Sequence, residues 1–120
     1  SACAGAGTMN GIIRGSGKPI LIAYTQSTQH DNLQVAMPDG ENFTGKAVMA
    51  NHSTSASINV VSNSLDIGQN YTGTMKAILF GNKGHTMRCD LQYANSSGYT
   101  PDGGVGLCET SNGKVIDVQW

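Results

Sequence analysis

Over most of its length the chain alternates apolar and polar residues in short runs, and clusters of turn-forming residues separate the runs. In Thr86–Tyr93, Met87, Cys89, Leu91 and Tyr93 fall on one face, against Arg88, Asp90 and Gln92 on the other. A period of two is the mark of a strand with one face inward and one toward water. The same alternation runs through Tyr71–Phe80, where Tyr71, Met75, Ala77 and Leu79 oppose Thr72, Thr74, Lys76, Ile78 and Phe80. Gly81-Asn82-Lys83-Gly84 between these two runs reads as a hairpin turn. A further strand is expected over Gly104–Glu109, and Ser111-Asn112-Gly113 then reverses the chain. Lys114–Trp120 closes it, with Ile116, Val118 and Trp120 on one face. Strands joined in this way predict an antiparallel meander over the C-terminal half.

Earlier strands are predicted over Gly11–Arg14, Ile20–Gln26, Leu33–Met37, Phe43–Ala50 and Ile58–Val61. Pro38-Asp39-Gly40-Glu41-Asn42 supplies a tight reversal, and Asn51–Ala56 a polar loop. Ser62–Gln69 is the one stretch that can hold a short helix. The sum is about seven or eight strands, enough for a small antiparallel barrel or sandwich. The expected organisation is a flexible leader over residues 1–10 followed by a single β domain over residues 11–120, with no internal repeat or linker.

Composition narrows the function classes. Only 12% of the 120 residues are charged, against about 25% in ordinary soluble domains, and Ser, Thr, Asn, Gln and Gly supply the polarity instead. The formal net charge is −1 and Lys and Arg form no cluster. A nucleic-acid partner is therefore not expected, because that class needs a basic face to meet phosphates. Ile20-Leu21-Ile22-Ala23-Tyr24, the longest apolar stretch, is strand length, so no helical membrane span is expected.

The three cysteines change the picture further. Cys89 and Cys108 lie on predicted strands either side of a loop, Asn95-Ser96-Ser97-Gly98-Tyr99-Thr100-Pro101-Asp102-Gly103, which contains their midpoint. A hairpin folded there sets them opposite each other, so a Cys89–Cys108 disulfide is expected. The competing reading is two buried thiols in a cytosolic domain. Cys3, between Ser1-Ala2 and Ala4-Gly5-Ala6-Gly7, resembles the cysteine at the end of a bacterial lipoprotein signal peptide. That reading makes Cys3 a lipidation site and the membrane a partner. The alternative is an incidental cysteine behind a cloning remnant.

Several short motifs recur in order. They are Asp39-Gly40-Glu41 before Phe43-Thr44-Gly45, the Gly81–Gly84 turn, Met87-x-Cys89, Gly104-x-Gly106-x-Cys108, and a terminal Gly113-Lys114 running to Asp117-Val118-Gln119-Trp120. Together they resemble a family of small Gram-negative envelope proteins, often predicted lipoproteins, of unassigned function. The resemblance covers Asp39 to Trp120, implies the disulfide and an envelope location, and brings no catalytic residues. Ala94–Gly103 is longer than that family's pattern, which marks it as a chain-specific contact, with Tyr99 and Asp102 as candidate partner-facing residues. Gly104 and Gly106 share the strand face of Cys108, where they either make room for the disulfide or mark a bend or bulge.

Catalytic patterns are sparse. His30, His52 and His85 lie near loops or strand ends, and no histidine pair has ligand spacing. His30-Asp31 together with Asp39 and Glu41 is the one combination considered for a metal, and solvated loop residues are the preferred reading. No Gly-x-Ser-x-Gly elbow occurs, and the Gly15-Ser16-Gly17-Lys18 stretch runs into Pro19 rather than a helix, so it is not a phosphate loop. Asp90 and Asp117 are expected to face outward, with Arg88 or Lys76 as neighbours. The reading that follows is a non-enzymatic structural or interaction domain of the cell envelope, an outer-membrane or periplasmic lipoprotein, with no cofactor and no metal. The first alternative is a self-assembling subunit of a surface filament, secretion apparatus or virion, with the leader as a donated strand. The second is a small carbohydrate-binding module or hydrolase using polar groups around Tyr99 or His85.

Overall fold

The computed structural model describes residues 5–27, 30–49 and 73–120. It has eight strands: β1 (Ala6–Ile13), β2 (Pro19–Gln26), β3 (His30–Ala36), β4 (Asn42–Met49), β5 (Thr74–Gly81), β6 (Thr86–Tyr93), β7 (Gly104–Thr110) and β8 (Val115–Gln119). Each pairs antiparallel with its sequence neighbours, and β8 returns to β1, so the sheet closes into an up-and-down barrel. Of the two architectures left open by the sequence, the barrel is the one formed. Cys3, His52, and the expected loop over Asn51–Ala56, strand over Ile58–Val61 and helix over Ser62–Gln69 lie outside the described residues.

Three hairpins at one end use the same device. The loops 38–40, 82–84 and 111–113 each end on a glycine with φ near +95°, at Gly40, Gly84 and Gly113. The strand backbones meet around them, as in the 2.8 Å bond from the Gly81 N–H to the His85 carbonyl. Three-residue loops with a left-handed third residue match the twist of the flanking strands. All three were expected from sequence.

The alternation sorts side chains cleanly. Ile20, Ile22 and Tyr24 of β2, Leu33 and Val35 of β3, Met75, Ala77 and Leu79 of β5, and Met87, Cys89, Leu91 and Tyr93 of β6 are all buried inside the barrel. They fill it as one core. Lys46, Lys76, Arg88, Asp90, Glu109 and Asp117 face out. This apolar-in, charged-out arrangement is the reverse of a barrel that crosses a bilayer with its strands.

Cys89 and Cys108 are bonded, as expected, and both lie inside the core. They are directly opposed in the β6–β7 ladder with Cα atoms 4.0 Å apart. Two strand-level glycines on the same face act as sites of close approach, with the β6–β7 register running unbroken past them. At Gly106 a Cβ would fall 2.5 Å from a Leu91 methyl and 2.7 Å from the Asp90 carbonyl oxygen, so neighbouring β6 needs that space.

One boundary is corrected. Residues 6–10, assigned above to a flexible leader, form the first part of β1, with Met9 fully buried. Gly11 interrupts the inward apolar series Met9, Ile13, and this hid the strand in the pattern. Because β1 lies between β2 and β8, each described strand has a paired neighbour on both sides, and the strand once considered for donation to another chain is already used within the barrel. Asp117 also finds a partner that sequence proximity could not suggest. Its two oxygens accept from Arg14 Nε and Nη2 at 2.9 Å each, while Asp90 meets Lys76 as anticipated.

The bridge closes a 19-residue separation. In the chain-entropy account this makes the oxidised protein more stable than the reduced one by about 3 kcal/mol. Urea unfolding with and without reductant measures it. Coincident midpoints would contradict the account.

Candidate functional site

The two barrel ends differ. One carries only the tight hairpins. The other gathers the β2–β3 connection, the loop 94–103 between β6 and β7, and Trp120.

At the loop end, Thr100 is the hub. It opens a short 3-10 turn, Thr100–Asp102, with Pro101 in the second position, where its fixed φ suits the turn. Its N–H donates to Gln26 Oε1 at 3.0 Å, its hydroxyl donates to Asp31 Oδ2 at 2.5 Å, and its carbonyl accepts from Trp120 Nε1 at 2.8 Å. Gln26 completes a two-point clamp by donating from Nε2 to the Gly98 carbonyl at 2.6 Å. Within the loop, Asn95 Oδ1 accepts from the Ser97 N–H and hydroxyl, and Asn95 Nδ2 donates to Asp102 Oδ2 at 2.8 Å. Trp120 stands edge-on to Tyr93, ring centres 5.1 Å apart. The loop is thus pinned over the barrel mouth from β2, β3 and the end of β8.

Asp31 lies beneath it with no exposed surface. Besides Thr100, the Tyr93 hydroxyl donates to Oδ2, while Oδ1 has no hydrogen-bond partner among the described residues. Burial pushes the Asp31 carboxyl above its ordinary range, and the two hydroxyl donors and nearby His30 only partly offset this. Tyr93 is raised as well, by burial first and then by the Asp31 carboxylate. Tyr24, also facing this carboxylate, is raised chiefly by burial. Asp, Tyr and Thr side chains therefore do converge here, but as a covered cluster rather than an open cleft.

The hairpin end has its own buried acid. Glu41 is 1% exposed; Oε2 accepts from the N–H groups of Lys83 and His85 at 3.0 and 3.1 Å, and Oε1 accepts from His85 Nδ1 at 2.7 Å. Burial works against its charge, but these donors together outweigh it and hold the carboxyl below its usual range. Asp39 is likewise lowered, by the Glu41 N–H and then by Lys114. These two acids stitch three hairpins together.

Of the residues singled out from sequence, Tyr99 is half exposed on the loop and Asp102 is exposed beside it. The His30-Asp31 pair and the Asp39–Glu41 turn sit at opposite ends of the barrel, so the metal combination considered above is not assembled. Sequence reading passed over Gln26, Thr100, the inward placement of Asp31 and Glu41, and the contact of partly exposed His85 with Glu41. Parity held the signal for the two acids: Asp31 shares the face of Leu33 and Val35, and Glu41 that of Phe43.

No family model, no curated protein and no solved structure matches this chain.

Two outcomes follow for the loop end. Because folded Asp31 holds its proton more tightly than the unfolded chain does, it costs stability as pH rises from the ordinary aspartate range through its raised value. Melting temperatures across that window should therefore fall more steeply for the wild type than for Asp31→Asn; parallel curves would refute the assignment. Thr100→Val, which leaves a buried carboxylate short of a donor, should destabilise by about 1–3 kcal/mol in chemical denaturation.

Proposed function

We propose that this chain is a non-enzymatic structural or interaction domain of the cell envelope, tethered to a membrane by lipid on Cys3. The disulfide inside the core is the observation that carries this reading, because such bonds persist outside reducing compartments. The filled interior supports it too: side chains pack the space that a ligand-holding barrel would leave open, so binding falls to the outer surface and the loops. The buried polar groups are spent on architecture. Asp31 helps to hold the loop, and Glu41 and His85 brace a hairpin.

The tether is short. Two residues, Ala4 and Gly5, lie between Cys3 and the start of β1 at Ala6, a reach of at most about 10 Å. A lipid there holds the loop end of the barrel toward the bilayer and turns the hairpin end away. Tyr99 and Asp102, on the same end, then form the contact zone with whatever lies at that surface. Tyrosine suits the position, with an apolar ring and a polar tip.

Intact mass of the mature protein from its native membrane is expected to show acyl groups on Cys3. Cys3→Ala should shift the protein to the soluble fraction with its melting temperature unchanged. A mature chain without acyl mass would remove the tether from this reading.

A further inference from the structure

The outer wall formed by β4 and β5 carries a shallow groove of about 450 Å³. Lys46, Val48, Lys76, Ile78 and Phe80 line it, with Gly45 at its floor. Val48, Ile78 and Phe80 are 46%, 43% and 65% exposed, which is unusual for three large apolar side chains on one stripe. The ladder orders them: Val48 pairs across from Lys76, Lys46 from Ile78, and Thr44 from Phe80. The stripe therefore runs along the strands for about 13 Å at the usual rise per residue.

Charge beside the stripe carries both signs, with the three cations Lys46, Lys76 and Arg88 against Asp90 and Glu109. Lys46 on β4 and Arg88 on β6 flank Ile78 in a single cross-strand row. Neither closes an ion pair among the described residues, although Glu109 lies across from Arg88 on β7. Lys76 is committed to Asp90. The wall thus offers an apolar trough with two uncommitted cations beside its middle.

We infer that this groove binds a monomeric anionic amphiphile, an alkyl chain ending in a carboxylate. The alkyl body lies against Val48, Ile78 and Phe80, and the carboxylate meets Lys46 with Arg88 across the strand. A second copy of the chain fits less well, since self-pairing of this face sets Lys46 and Arg88 against their own kind. A bilayer surface is disfavoured by the convex wall of a closed barrel. The site is separate from the tether and from the loop end, so it stands or falls independently of them.

The probe is dodecanoate below its micelle threshold, added to the folded, unacylated protein and followed by amide chemical shifts and calorimetry. Saturable binding is expected, with shifts concentrated at residues 45–48 and 76–80. Lys46→Glu and Phe80→Ser, both outward-facing and checked for an unchanged fold by circular dichroism, should each weaken binding by about tenfold or more. Dodecyl maltoside, with the same chain and no charge, should bind at least as weakly as dodecanoate binds to Lys46→Glu. Four results overturn the inference: no saturation below the micelle threshold, equal affinity for the uncharged amphiphile, indifference to both substitutions, or a concentration-dependent dimer that buries Phe80.

Discussion

The bond between Cys89 and Cys108 fixes one rung of a ladder that closes on itself, and the rest of the architecture follows from that combination. In an open sheet a single rung constrains two strands. In a closed barrel a slip by one residue anywhere must be absorbed by every other pair, and a one-residue slip turns a strand's core face to water. Here the rung lies inside the core, directly opposed in the ladder, between β6 and β7. Tyr93, at the end of β6, is thereby placed against Asp31 and Trp120, and Gly104, at the start of β7, against the Trp120 backbone. The loop that joins these two strands inherits its position from the same rung.

The two ends of the barrel solve one problem with opposite electrostatics. At the hairpin end, Glu41 is buried but surrounded by donors, and its charge is favoured. At the loop end, Asp31 is buried with hydroxyl donors on one oxygen only, and its charge is disfavoured. Acidification therefore weakens the first cluster while relieving the second. The hairpin end is built on backbone donors, the Lys83 and His85 N–H groups of one neighbouring turn. The loop end depends on side chains brought from β2, β3, β6 and the end of β8.

Much of the fold was legible because period two and glycine-bearing turns are local signals. β6 from Thr86 to Tyr93, the turns at Gly40, Gly84 and Gly113, and the cysteine pairing needed only neighbours in sequence to be read. β1 was not legible, because Gly11 occupies an inward position where an apolar residue would have completed the alternation. The choice between barrel and sandwich turned on the β1–β8 pairing, of which the order of strands says nothing. The candidate sites were half visible. Tyr99 stood out as a loop aromatic, yet the hub role of Thr100 depends on Gln26, Asp31 and Trp120 meeting from distant parts of the chain. Parity alone placed Asp31 and Glu41 inward, but buried acids are rare enough that turn and loop positions invite the solvated reading. The Arg14–Asp117 pair, 103 residues apart in sequence, could come only from closure.

The most direct measurement of the central claim is a thiol titration of the unacylated chain, unfolded in denaturant without reductant. The account predicts one reactive group, that of Cys3. Three reactive groups would contradict it: the rung would not be covalent, and the proposal that the domain works outside the reducing cytosol would lose its physical basis.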